Sequence, residues 1–207
     1  MMKRIVDILM AVLLPLLMAY SLIGETFHEA AGTAMLVLFI MHLISHRKWW
    51  KAIPKGKYTS YRTFITVLDL ALLALLILQP LSGIAMSHHL YTFIHLEGVS
   101  AVARAIHLAL AYWSLVLMSL HLGLHLDLFL KKEKMRSRPG TIAAGLISAY
   151  GIYVFIKRGL PGYMFLRTKF AFFDFGESII FFMIDYLAIM VLFAAAGYCI
   201  KLKLRGK

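Results

Sequence analysis

The stretch HEAAGTAMLVLFIMHLISH, residues 28–46, has its histidines repeated in HLALAYWSLVLMSLHLGLH, residues 107–125. His28, His42 and His46 recur as His107, His121 and His125, each 79 positions later. Both stretches are otherwise long and apolar, and so predict helices at membrane depth. A helix climbs ~1.5 Å and turns ~100° per residue, so the step from His28 to His42 covers roughly 21 Å and returns to within about 40° of the same face. Two such helices side by side offer two opposed histidine pairs, one near each surface of a hydrocarbon core ~30 Å thick.

Opposed imidazoles at two depths suit two stacked b-type haems, each held through two axial histidines. A single histidine in a membrane helix serves packing or hydrogen bonding as readily as ligation; six at one offset point to a metal or haem. The outer pair is His28 with His107. At the inner end two pairs compete, because an 18-residue step is about five full turns and keeps its face: His42 with His121, or His46 with His125. The first is preferred, since the second falls where Lys and Arg begin. His46 and His125 are then hydrogen-bonding groups near a quinone, or interfacial residues.

Composition gives the class independently. Hydrophobic residues make up 61% of the chain and the mean hydropathy is +0.80, the range of an integral membrane protein. The formal charge of +12 does not point to nucleic acid, because the basic residues gather in short clusters between apolar runs. Cys199 is the only cysteine, which excludes a disulfide framework, a four-thiolate iron–sulfur cluster and covalent haem attachment.

Six apolar segments, 5–23, 27–46, 63–86, 102–130, 140–157 and 178–200, predict one all-α domain over 1–207. The expected architecture is a six-helix transmembrane bundle with the haems between its second and fourth helices. A cytoplasmic amino terminus puts Lys3, Arg4, the clusters at 47–62 and 131–138, and the basic residues at 201–207 on one side. Only Arg104, Lys157, Arg158, Arg167 and Lys169 fall on the other, so both termini are expected in the cytoplasm. The first segment begins like a signal peptide, but it lacks a small-x-small site, contains Asp7 and Pro15 and runs into another span. It reads as an uncleaved helix.

The neighbours of the histidines carry two readings each. Gly32, one turn below His28, and Gly123, beside His121, leave room for a flat macrocycle or for close helix contact. Arg104, one turn before His107, either pairs with a haem propionate or snorkels to the headgroups. Arg47, Lys48 and Lys131 have the same choice at the inner side, with setting topology as their first role. His88, His89 and His95 read as solvated loop residues, with copper, iron or proton handling as the alternative. Asp69, Asp127 and Asp185 lie in or near the spans; Asp185 serves either quinone-linked proton uptake or a helix–helix hydrogen bond. The loop 159–176, with Tyr163, Phe165, Phe170, Phe172, Phe173, Phe175, Arg167 and Lys169, is an interfacial aromatic belt or a docking surface for an extracytoplasmic partner.

His28, Glu29, Ala30, Ala31 and Gly32, followed by His42, Ile44, His46, Trp49 and Trp50, resemble the helical hairpin of the bacterial flavinylation-associated membrane cytochromes, long catalogued as a domain of unknown function. The run LSGIAMS at 81–87 and the run ARAIHLALAYWSLVLMSLHLGLH at 103–125 resemble the second half of such proteins. The resemblance covers roughly residues 5–130. A more distant one links the chain to the transmembrane part of ferric reductases and NADPH oxidases, from which it departs in having no nucleotide or flavin domain. These resemblances imply a multi-pass protein of the bacterial inner membrane that moves electrons between a cytoplasmic-side or quinol donor and an external flavin-carrying (FMN) protein.

Without the resemblance, the residues point to a two-haem membrane electron carrier, the electron-transfer subunit of an oxidoreductase. A rival is a non-redox metal-ion transporter whose histidines bind zinc, copper or iron directly. Haem is preferred because each depth offers two imidazoles, whereas a structural metal usually needs four ligands. A third reading is a self-contained quinol or ferric oxidoreductase.

Overall fold

The computed structural model describes residues 2–94, 100–130, 133, 137–168 and 174–205. Among them the chain is helical: α1 Met2–Met18, α2 Tyr20–Ile23, α3 Glu25–Ser45, α4 Arg47–Ala52, α5 Ser60–Ile84, α6 Ser100–Leu124, α7 Arg138–Lys157, α8 Leu160–Met164 and α9 Ile179–Arg205. Five of these helices are long and apolar enough to cross a membrane, namely α3, α5, α6, α7 and α9. The protein is therefore a multi-pass membrane protein of all-α class. The first segment, read as a span over 5–23, forms the 17-residue α1 followed by α2, with the chain breaking helix at the fully buried Ala19.

Local chemistry sets the helix ends. Thr59 caps α5 by accepting from the Arg62 N–H, and Ser137 caps α7 by accepting from the Gly140 N–H with Pro139 in the first turn. Gly159, at φ +66°, supplies the left-handed residue that stops α7. Arg62 reaches back to the Ala52 and Lys57 carbonyls, tying the α4–α5 connection to the start of α5.

The segment expected to run from 102 to 130 is shorter as a helix. It stops at Leu124 and continues as a 3-10 turn over Leu126–Leu128. Lys201 of α9 explains the stop: its ammonium donates to the Leu124 carbonyl at 2.7 Å and to Asp127 at 2.5 Å, taking up a terminal carbonyl the helix leaves free. α3 likewise ends at Ser45. His46 (φ −101°, ψ 19°) and His125 (φ −106°, ψ 10°) adopt nearly the same helix-ending conformation, so the repeat extends to the backbone.

Packing divides the bundle into two parts. α6 is flanked by α5 on one side and α9 on the other, and α7 packs behind α9. Small residues make this half dense. A Cβ on Gly123 would collide with the Ala194 backbone, one on Gly197 with the Leu120 carbonyl and one on Gly151 with the Ala188 carbonyl. Gly123 thus belongs to a helix seam, the second of its two expected roles. α1, α3 and α5 close a ring with α6, in which α3 packs on α1 and α5 but makes hardly any direct backbone contact with α6. The two histidine helices face each other across a gap.

Candidate functional site

That gap holds a cavity of about 720 Å3, within the ~300–1,000 Å3 typical of cofactor sites. Its walls come from Leu14 and Leu17 of α1, Met35 and Phe39 of α3, Leu76 of α5 and Leu108 of α6, with His28, His107, Arg104 and Gly32 among them. The sequence-predicted outer pair meets here: the His28 and His107 ring centres are 6.1 Å apart, with planes at 70°.

α5 orients one of these rings. His107 Nδ1 lies 3.1 Å from the Gln79 carbonyl and 3.1 Å from Ser82 Oγ, while Nε2 lies 3.2 Å from the Gln79 side-chain amide nitrogen. An Nδ1–H donated to the backbone carbonyl leaves Nε2 as the lone-pair nitrogen, the tautomer a metal ligand needs. Gly83 makes room for the ring, since a Cβ there would stand 3.2 Å from His107 Cε1. A Cβ on Gly32 would meet nothing within 4 Å, so that wall is open. Two polar atoms on the cavity wall, Gln79 Oε1 and Ser114 Oγ, are buried without a hydrogen bond among the described residues, while His28 has the Leu17 backbone beside it. Buried polar atoms are normally satisfied, so this wall is unfinished by protein alone. An apolar cavity, facing imidazoles and an Arg at its edge fit a haem.

The mouth is tied down by α3. Glu29 accepts from Ser87 Oγ (2.7 Å), the His88 N–H (2.9 Å) and the Leu90 N–H (2.8 Å), and Thr33 and Tyr91 share a hydroxyl contact of 3.0 Å. Glu25 accepts from Tyr20 (2.6 Å) and lies 3.3 Å from His89. His88 and His89 are exposed, with His88 lining the mouth. His95 lies outside the described residues.

The other end of α3 and α6 is different. His42 Nδ1 is 2.8 Å from Asp7 Oδ1 of α1, and His121 Nδ1 is 2.9 Å from Asp69 Oδ1 of α5, the latter a close contact off the angle of a good hydrogen bond. His46 stacks on His42 at 4.5 Å and His125 lies against His121 at 4.7 Å. Neither His46 nor His125 has a carboxylate partner of this kind among the described contacts. Asp7, His42 and His46 bring one ligand atom each within 4.8 Å of one another.

Sequence reasoning missed Asp7 and Gly83 as site residues and left Asp69 among several intramembrane carboxylates. The signal for both carboxylates was their cost at membrane depth, which demands a partner. Asp185 and Asp127 find theirs elsewhere. Asp185 accepts from Tyr150 (2.5 Å) and Arg158 Nε (2.8 Å), tying α7 to α9, and Arg158 also bonds Glu177. Burial opposes the Arg158 charge, but the hydrogen bonds to Glu177 and Asp185 outweigh it and hold the guanidinium's pKa above its ordinary value. In the aromatic loop, Trp113 donates to the Met164 carbonyl and Tyr163 stacks on Tyr112, while Phe165 and Phe175 are largely exposed. Lys169, Phe170, Phe172 and Phe173 lie outside the described residues, as does Lys131. Comparison with family models, with curated proteins and with solved structures finds no match to this chain.

Proposed function

We propose that the chain is a di-haem b-type electron carrier, relaying electrons between a cytoplasmic-side or quinol donor and an extracytoplasmic flavin-carrying acceptor. The observation that carries this reading is His28 facing His107 across an apolar cavity, with His42 and His121 one matched step further along the same two helices. His28 and His107 hold the outer haem, Gly32 and Gly83 leave space for it, and Arg104 meets a propionate. His42 and His121 hold the inner haem in preference to His46 and His125, because each has its Nδ1 against a carboxylate and its Nε2 left for iron. Bound haem supplies one-electron chemistry. In this reading α1 is the sixth span and both termini are cytoplasmic, in keeping with the basic clusters on one side, and the membrane is the bacterial inner one, as the family resemblance implies. No Gly-rich dinucleotide fingerprint is present to take a hydride, so the donor and acceptor are other molecules, with a quinone as one candidate.

A pyridine haemochrome assay against protein concentration tests the reading, and two haems per chain are expected. A ratio near zero overturns it, and a ratio near one removes one pair. The Asp7, His42 and His46 cluster supports a second reading, a divalent-ion site in a metal carrier. Elemental analysis separates the two: stoichiometric zinc, copper or iron in colourless protein favours the carrier.

A further inference from the structure

The two copies of the histidine repeat finish differently at the His42 end of the bundle. In the first copy Asp7 Oδ1 of α1 lies 2.8 Å from His42 Nδ1, and the His46 ring stacks on His42. His46 Nε2 is buried without a hydrogen-bond partner among the described residues. One ligand atom from each of the three residues lies within 4.8 Å of the other two. In the second copy Asp69 and His121 also meet, but among the described residues His125 does not complete such a group. We propose that Asp7, His42 and His46 bind one divalent transition-metal ion of the zinc type, which stays in place and fastens α1 to α3.

The cluster is the size of an ion. Four-coordinate zinc with bonds of ~2.0–2.2 Å keeps its ligand atoms ~3–4 Å apart, so small side-chain shifts close the group on one ion, with water in the fourth position. Two imidazoles and a carboxylate suit zinc, copper or nickel, whereas magnesium and calcium take oxygen ligands. His42 stands in the last turn of α3 and His46 caps it, at the negative end of the helix dipole, and Asp7 adds a full negative charge. Lys3, which acts on His46, and the following Arg47 and Lys48 are exposed, so water screens their charge. His121 also acts on His46 without joining the group. α1 packs chiefly on α3, and an ion held by both adds a cross-link at that contact. Such an ion is resident, unlike the cargo of a carrier, and none of its three ligands lines the His28–His107 cavity. The inference does not rest on the di-haem reading. An outer haem and the ion are compatible, while the ion and an inner haem share His42 and exclude each other there.

The test is equilibrium dialysis of the purified full chain against zinc chloride, with zinc and haem counted in the same samples. It is run beside His121→Ala, which cannot hold an inner haem between His42 and His121 yet keeps all three ion ligands; His121→Gln replaces it where the alanine variant does not purify. The His121 variant should bind one zinc. Adding Asp7→Ala or His46→Ala should weaken that binding by at least ~10-fold, since even outer-shell partners of a metal cost this much. Adding Asp69→Asn or His125→Ala should leave it unchanged. Zinc should also raise the thermal midpoint of the His121 variant, and not that of the variant lacking Asp7 as well. In the unaltered chain, zinc bound at that affinity and inner haem should together amount to one per chain. No zinc in the His121 variant, equal zinc with and without Asp7 and His46, or one zinc alongside two haems overturns the proposal. Haem judges the other reading separately: two haems in the unaltered chain uphold it whatever zinc does, and a chain without haem sinks it while leaving the ion.

Discussion

The His28 end and the His42 end of the bundle are built from the same histidine repeat, yet they present different chemistry. At the His28 end two imidazoles face each other across an apolar cavity, and their polar neighbours are a carbonyl, an amide and a hydroxyl. At the His42 end four imidazoles lie in stacked or tilted pairs, with a carboxylate against one member of each. The helices that carry the repeat do not cause this difference. It comes from α1 and α5, which offer Leu14, Leu17 and Gln79 toward one end and Asp7 and Asp69 toward the other. A repeat of histidines thus sets where the two clusters lie, and the flanking helices set what surrounds each.

The sharpest way to break the comparison is to remove the histidines. His28→Ala and His107→Ala should each lose the same haem, halving the haem-to-protein ratio, and His42→Ala and His121→Ala should lose the other. Difference spectra of the four variants check this, and four unrelated spectra would dissolve the pairing.

Next in size is Gly83. Its Cβ would crowd His107, and among the described residues Gly83 is the glycine whose nearest neighbour is a ring of the histidine repeat. Gly83→Leu should strip haem from that end and spare the other; Gly83→Ala, needing a few tenths of an ångström from the ring, should keep both haems with a shifted outer spectrum.

The Lys201–Asp127 tie probes the frame behind the second site. The hydrogen bond from Lys201 holds the Asp127 carboxyl below its ordinary pKa. A depressed carboxyl stabilises the fold above its unfolded pKa of ~3.9, and that contribution is lost as pH falls through the lower folded value. Asp127→Asn should therefore cost about 1 kcal/mol at neutral pH, the upper end for a partly screened pair, and progressively less in acid. Thermal melts in detergent at neutral and acid pH measure it; an equal loss at both would remove the ion pair from the account.

The smallest effect is expected at the stacked partners. His46→Ala and His125→Ala should keep both haems and change at most their potentials, since among the described residues neither ring has a carboxylate at the distance that Asp7 keeps from His42. Loss of a haem in both, with retention in His42→Ala, would move the inner site one turn along the helices.

The sequence alone determined the class, five of the long helices, and that His28 and His107 lie near each other. Those follow from composition, from apolar runs and from helical periodicity, all of which are properties of one segment at a time. Periodicity also put His46 on the face of His42, but α3 and α6 end beside these second histidines, where Lys201 caps one of the two termini. Gly32 and Gly123 looked alike as small residues near the repeated histidines. Only packing separated them, because α9 presses on Gly123 while nothing stands within 4 Å of a Cβ on Gly32. Asp7 precedes His42 by 35 positions and Asp69 precedes His121 by 52, on helices whose rotation about their own axes no local pattern fixes. Which groups a helix turns toward its neighbour is decided by the side-chain packing of all the helices at once, and that is why the partners of the repeat were legible only in the tertiary structure.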